Sequence, residues 1–285
     1  MLADEGIGEW GFAALVEADG HRLLFDTGAR PDTVLQNARD LNVDLGDIVD
    51  VVISHNHSDH TGGLLRLRRE LSSKNRSALS RAHVAPGIFW SRPSGSGAET
   101  NPMIEIKPTY EAEGGVFVEH AEPVEVFPGA WLTGPVPRVY PERNWGGFSG
   151  RAPVKSPQGL VEDNLPEDQS LVLDTEAGLV LLSGCGHAGI INTIEHARSK
   201  IRSAPVVAAI GGFHLFASDD PTLDWTAAKL REFGLGQFIG AHCTGIEAVY
   251  RIRDRVGLDR ARCVVGAVGA SFTLSQGIQP LRLAR

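Results

Sequence analysis

The sequence predicts an α/β layered fold, and two observations carry that expectation. Short apolar runs alternate with amphipathic helical segments towards both ends of the chain. Four apolar runs also end in glycine or serine followed closely by histidine: Val51-Val52-Ile53-Ser54-His55, Leu181-Leu182-Ser183-Gly184-Cys185-Gly186-His187, Ala209-Ile210-Gly211-Gly212-Phe213-His214 and Ile239-Gly240-Ala241-His242. Strand ends on one edge of a sheet converge in space, and the loops that follow them are where layered folds place chemistry.

Taken in order, Phe12 to Glu17 and Arg22 to Phe25 read as apolar strands around an Asp19-Gly20 turn. Thr33 to Leu41 is helical, Asp50 to Ser54 is a buried strand, and Gly62 to Leu71 continues as a helix. From about Lys74 to Pro166 the character changes, because twelve of the sixteen prolines fall there. Prolines at that density exclude long helices and central strands. The stretch at about 74–166 therefore reads as a loop elaboration with short strands at Val116 to Glu119, Val124 to Val126 and Trp131 to Thr133. Loops of that length in a compact domain tend to face substrate.

The last part is regular again. Ser170 to Asp174 and Leu179 to Leu182 are strands, followed by a helix with Ile190, Ile194, Ala197 and Ile201 on one face. Val206 to Ile210 and Gln237 to Gly240 are strands that flank a helix from Leu223 to Phe233. Ile246, Val249, Ile252 and Val256 mark a last helical face. No linker is visible, so 1–285 reads as a single domain.

Composition narrows the classes of function. A net charge of -8 and a pI of about 5.7 argue against binding a phosphate backbone. Arg66, Arg68 and Arg69 read as the exposed face of a helix, so nucleic acid is not an expected partner. No apolar run approaches the roughly 20 residues that cross a bilayer, and no secretory signal is visible. The expectation is a cytoplasmic protein with no membrane association and a small-molecule substrate. Three cysteines, Cys185, Cys243 and Cys263, form no paired spacing that would suggest a disulfide framework.

The densest chemistry lies in His55-Asn56-His57-Ser58-Asp59-His60. Three imidazoles and a carboxylate within six positions suit a borderline-soft divalent metal. His55 and His57 are two apart in an extended segment and can point to the same side. Asp59 and His60 fall where the chain turns into a helix, aimed at a neighbouring point, so one loop offers ligands to two metal positions. His21, His83, His120 and His196 read as solvated or structural, with His196 on the polar side of its helix.

With these residues in view, the chain resembles the metallo-β-lactamase-fold superfamily. The resemblance rests on Phe25-Asp26-Thr27-Gly28, the His55 to His60 motif, Ser183-Gly184-Cys185-Gly186-His187 and Gly240-Ala241-His242. Glu167-Asp168-Gln169, Cys185 to Gly189, Ile210 to Leu215 and Ala241 to Gly245 resemble one branch. That branch includes the 7,8-dihydropterin-6-methyl-4-(β-D-ribofuranosyl)aminobenzene-5'-phosphate synthases and related metal-dependent hydrolases. The resemblance implies a four-layer αββα sandwich with a dinuclear centre at one edge of the sheets. It implies two divalent metal ions, zinc first, with iron or manganese as alternatives. By motif, His55, His57 and His187 would hold the first metal, and Asp59, His60 and His242 the second.

Asp26 would support the histidine loop from behind. Cys185 stands near the place where many superfamily members carry a metal-bridging aspartate, and either ligates or packs as a small apolar residue, with packing favoured. His214 has no counterpart in the commonest pattern and could be a ligand, a general acid or a substrate contact. The implied activity is hydrolysis of an ester, lactone, amide or phosphoester by metal-activated hydroxide, with Asp59 orienting the nucleophile. Arg138, Arg143, Arg151 and Lys155 suggest an anionic substrate, with Arg138 the chosen contact. The alternative is a transferase like the synthases of the branch.

Overall fold

Two large sheets and two layers of helices, with three two-stranded pairs beside them, make up the computed structural model, which describes residues 2, 3, 5–142 and 153–281. The first sheet runs β1 (Ala14–Ala18), β2 (His21–Phe25), β3 (Asp50–Val52), β4 (Arg81–Val84) and β5 (Val116–Glu119), in that spatial order. Only β1 and β2 pair antiparallel. The second sheet runs β6 (Val124–Phe127), β7 (Ala130–Leu132), β8 (Ser170–Thr175), β9 (Gly178–Ser183), β10 (Val206–Gly211), β11 (Gln237–Gly240) and β12 (Cys263–Val265). Its strands are antiparallel as far as β9 and parallel from β9 to β12.

The period-two alternation of strand side chains explains the layers. In β2, Leu23 and Phe25 meet Leu171 and Leu182 between the sheets. Leu24 points the other way and packs with Leu35, Leu64 and Leu67. Those leucines belong to α1 (Thr33–Asp40) and α3 (Leu64–Ser72), between which a single turn, α2 (Ser58–Thr61), carries Asp59 and His60. In β8 the same switch separates Leu171, which faces inward, from Val172. Val172 packs with residues of α5 (Ile190–Lys200), α6 (Asp220–Glu232) and α7 (Ile246–Val256). The αββα sandwich follows. Leu23 is fully buried between its layers, where truncation to alanine would cost about 2–5 kcal/mol.

Three expectations are corrected here. The proline-rich stretch holds a central strand, β4, paired on both sides, and a ten-residue helix, α4 (Met103–Ala112), which includes Pro108. Pro86 lies just beyond β4 and Pro102 caps α4, so proline density marked element boundaries there rather than their absence. Arg68 is only 3% exposed rather than on a solvated face. Its guanidinium reaches the carbonyls of Arg76, Ala78 and Glu113 and supplies these backbone acceptors with donors. His196 is buried too, with its Nε2 3.1 Å from the Thr133 carbonyl.

His83 lies between His120 and Asp50 at 2.9 Å from each, away from the histidine loop. The three cysteines are free. Among the described residues no helix is long and apolar enough to cross a membrane.

Candidate metal centre

Parallel register brings the strand-end residues together. Ser183 of β9 pairs with Gly211 of β10, which pairs with Gly240 of β11, so the three following loops leave one edge side by side. The first sheet supplies the loop after β3. Gln169 locks the two sheets in place, its N–H donating to the Ser54 carbonyl (3.0 Å) and its Nε2 to the Ile53 carbonyl (3.0 Å).

The donor atoms then meet. His55 Nε2 lies 3.3 Å from His187 Nε2, and His60 Nε2 lies 3.2 Å from His242 Nε2. Cys185 Sγ is 3.2 Å from His60 Nε2 and groups with both histidine pairs, all donor atoms of each group lying within 4.8 Å of one another. Asp59 Oδ2 adds a carboxylate 3.1 Å from His242 Nε2 and 3.9 Å from His60 Nε2. His57 lies alongside, its ring centroid 4.6 Å from that of His55 and 5.0 Å from that of His187. A third grouping joins Cys185, His214 and Cys243.

The polar partners behind the loop decide which nitrogens face inward. Asp26 Oδ1 accepts from the Ser54 N–H (2.8 Å), and Oδ2 accepts from the Ser54 hydroxyl (2.7 Å). With its proton given to Asp26, Ser54 Oγ can only accept from His55 Nδ1 (2.9 Å). His60 Nδ1 also donates to Asp26 Oδ2 (2.7 Å). Both imidazoles therefore carry their proton on Nδ1 and turn an Nε2 lone pair towards the opposing ring. The unprotonated Nε2 atoms of His55 and His60, each 3.2–3.3 Å from the Nε2 of a second imidazole, fit a cation as the shared partner.

The electrostatics agree with that fit. Burial, helped by the imidazoles of His60, His57, His187 and His242, holds His55 well below the usual imidazole range. Burial likewise brings His57 down to about 4, against the pull of Asp59. Neutral imidazole is the ligating form. At His60 burial is outweighed by Asp26, which raises its pKa and makes its Nε2 the stronger donor. At Asp59 burial opposes ionisation, but the hydrogen bond with His242 and the neighbouring imidazoles keep the carboxyl below its usual range. Burial and the Cys243 sulfur push the Cys185 thiol well up, so it becomes a ligand where a cation replaces its proton.

The structure places the Cys185 sulfur, buried, among the donor atoms. The glycine before it is forced, because a Cβ on Gly184 would lie 2.2 Å from Ser54 Oγ and 2.6 Å from Asp26 Oδ2. Cys243 was missed altogether. Its sulfur is 3.2 Å from that of Cys185 and accepts from the His214 N–H (3.3 Å). The adjacent His242 was the one signal that could have drawn attention to it. The His214 ring packs 4.5 Å from that of His187, and its Nδ1 has no hydrogen-bond partner among the described residues.

Arg138, expected to contact substrate, donates to the backbone carbonyls of His187 and Asn164, which ties down the loop that carries His187. Arg143 and Arg151 lie outside the described residues, and Lys155 is exposed on a hairpin strand, Pro153–Ser156. Glu167, Asp168 and Gln169 each hold a different part of the site. Glu167 pairs with buried Arg92 (2.8 Å), and Asp168 accepts from the Ala188 N–H (3.0 Å), one residue beyond His187. Asn56, with its amide turned to satisfy both ends, bridges Glu167 (3.1 Å) and Arg92 (3.3 Å). Burial, offset in part by Arg92, brings the Glu167 carboxyl up to about 7.

Residues 11–195 match the model of the metallo-beta-lactamase superfamily. Over 266 residues the chain is 28% identical to the 7,8-dihydropterin-6-methyl-4-(beta-D-ribofuranosyl)-aminobenzene-5'-phosphate synthase of Methanocaldococcus jannaschii, covering 90% of this chain and 88% of that one. It is also 28% identical to an uncharacterized protein of the same organism over 244 residues, 85% and 86% of the two chains. Among solved structures it resembles Tm1679, a metal-dependent hydrolase of the beta-lactamase superfamily, at a TM-score of 0.67 and 29% identity, covering 90% and 89%.

Proposed function

Because the chain belongs to the metallo-beta-lactamase superfamily, we propose that it is a metal-dependent hydrolase of a small ester, lactone or phosphoester, using two divalent ions of the zinc type. The observation that carries this reading is the pair of inward-facing donor groups that share Cys185, one with His55 and His187 and one with His60 and His242. His57 completes the first site and Asp59 the second. Such ions supply Lewis acidity and a hydroxide nucleophile near neutral pH.

The chain's own residues do the rest. Asp59 accepts a hydrogen bond from the attacking nucleophile and aligns it. His214, whose ring packs beside that of His187, hands a proton to the leaving group. Asp26, directly at His60 and through Ser54 at His55, holds two ligand rings in register.

Zinc-loaded protein should hydrolyse members of an ester, lactone and phosphodiester panel and lose that activity on chelation. Full turnover after rigorous chelation would sink the reading. The synthase relative supports a second reading, a transferase. Incubation with a dihydropterin diphosphate and an aminobenzene acceptor, followed by a search for the coupled product, separates the two.

A further inference from the structure

We propose that Trp10 and Phe216 form an aromatic wall that receives a planar aromatic or heteroaromatic ring of the ligand beside the metal centre. Both are large and apolar, yet 59% and 54% exposed. They come from chain segments far apart in sequence and meet with ring centroids 6.2 Å apart and planes at 87°. Each also touches a residue of the centre. Trp10 lies 5.0 Å from the ring of His242, and Phe216 lies 5.2 Å from the ring of His214.

The seat of Phe216 is built in. Its N–H donates to the Cys243 carbonyl (3.3 Å). Gly245 leaves it room, since a Cβ there would come within 2.8 Å of Phe216 Cα and Cβ. Exposed aromatic rings held against the imidazoles of a polar centre mark a binding surface rather than scattered surface apolarity. The perpendicular arrangement selects the ligand class. A flat ring laid on one face meets the electropositive edge of the other ring, whereas a saturated chain gains only buried area.

This inference rests on the metal centre for its location but not on the reaction proposed there. Calorimetry on metal-loaded protein should compare 2-naphthoate with its decahydro counterpart, which has the same charge and similar bulk. Naphthoate should bind roughly tenfold tighter, each aromatic contact contributing about two- to tenfold. Trp10→Leu and Phe216→Leu keep the apolar bulk and should each shrink that preference several-fold, while Trp10→Phe should keep most of it. Equal binding of the two acids, binding of neither, or a preference that survives both leucine variants overturns the proposal. Absence of hydrolysis across the ester panel, with the naphthoate preference intact, would strike the hydrolase reading alone.

Discussion

The Nδ1 of His60 sits 2.7 Å from the Oδ2 of Asp26, and neither side chain touches solvent. One carboxylate thus sets the proton position of His60 directly and that of His55 through the Ser54 hydroxyl. Asp26→Asn keeps the size and tolerates the positive φ of 58° at this position, but loses the charge. Zinc affinity should fall about 10–100-fold, read by competition with a chelator. Unchanged affinity would show that the ligand rings hold themselves.

Cys185 is expected to enter the coordination shell. Cobalt-substituted protein should show a sulfur-to-metal charge-transfer band that Cys185→Ser abolishes. A band that persists in that variant assigns the sulfur elsewhere, with Cys243 the nearest alternative, 3.2 Å away.

Arg92 faces two buried carboxylates, Asp163 and Glu167. Arg92→Met leaves both unpaired and should cost about 3–5 kcal/mol in urea unfolding. The triple change of Arg92, Asp163 and Glu167 to apolar residues should recover much of that loss, because the penalty comes from uncompensated charge. A triple variant as unstable as the single one would contradict this account.

Glu142 accepts from the N–H groups of Ile191 and Asn192 at the start of α5. Burial pushes its carboxyl up to about 7, against those hydrogen bonds and Arg138. A folded pKa above the unfolded one means the native state holds the proton more tightly. The associated stability is present below about 4.5 and is lost as pH rises through about 7. Glu142→Gln should flatten the pH dependence of unfolding between those limits. An identical pH profile in the variant would remove Glu142 as its source.

Much of the architecture could be read from local pattern. Alternation along Leu23-Leu24-Phe25 encodes a strand with two buried faces, and the 3.6-residue spacing of Ile246, Val249, Ile252 and Val256 encodes α7. Failures fell where a partner distant in sequence decides burial. Arg68 and His196 look solvent-facing on their own helices, yet each satisfies a carbonyl brought from another segment. The role of Arg138 was hidden for the same reason, because a backbone carbonyl acceptor leaves no mark in the side-chain pattern.

Local pattern was enough for most strands and helices outside the proline-rich stretch, and it marked the histidines at four strand ends as candidates, because periodicity and glycine placement are local properties. Tertiary structure decided what those candidates meet. Register between β9, β10 and β11 placed Cys185 beside Cys243, 58 residues away, and the docking of two sheets turned His55 and His60 towards His187 and His242. Distances of that kind are set by packing between layers, which no single stretch of chain encodes.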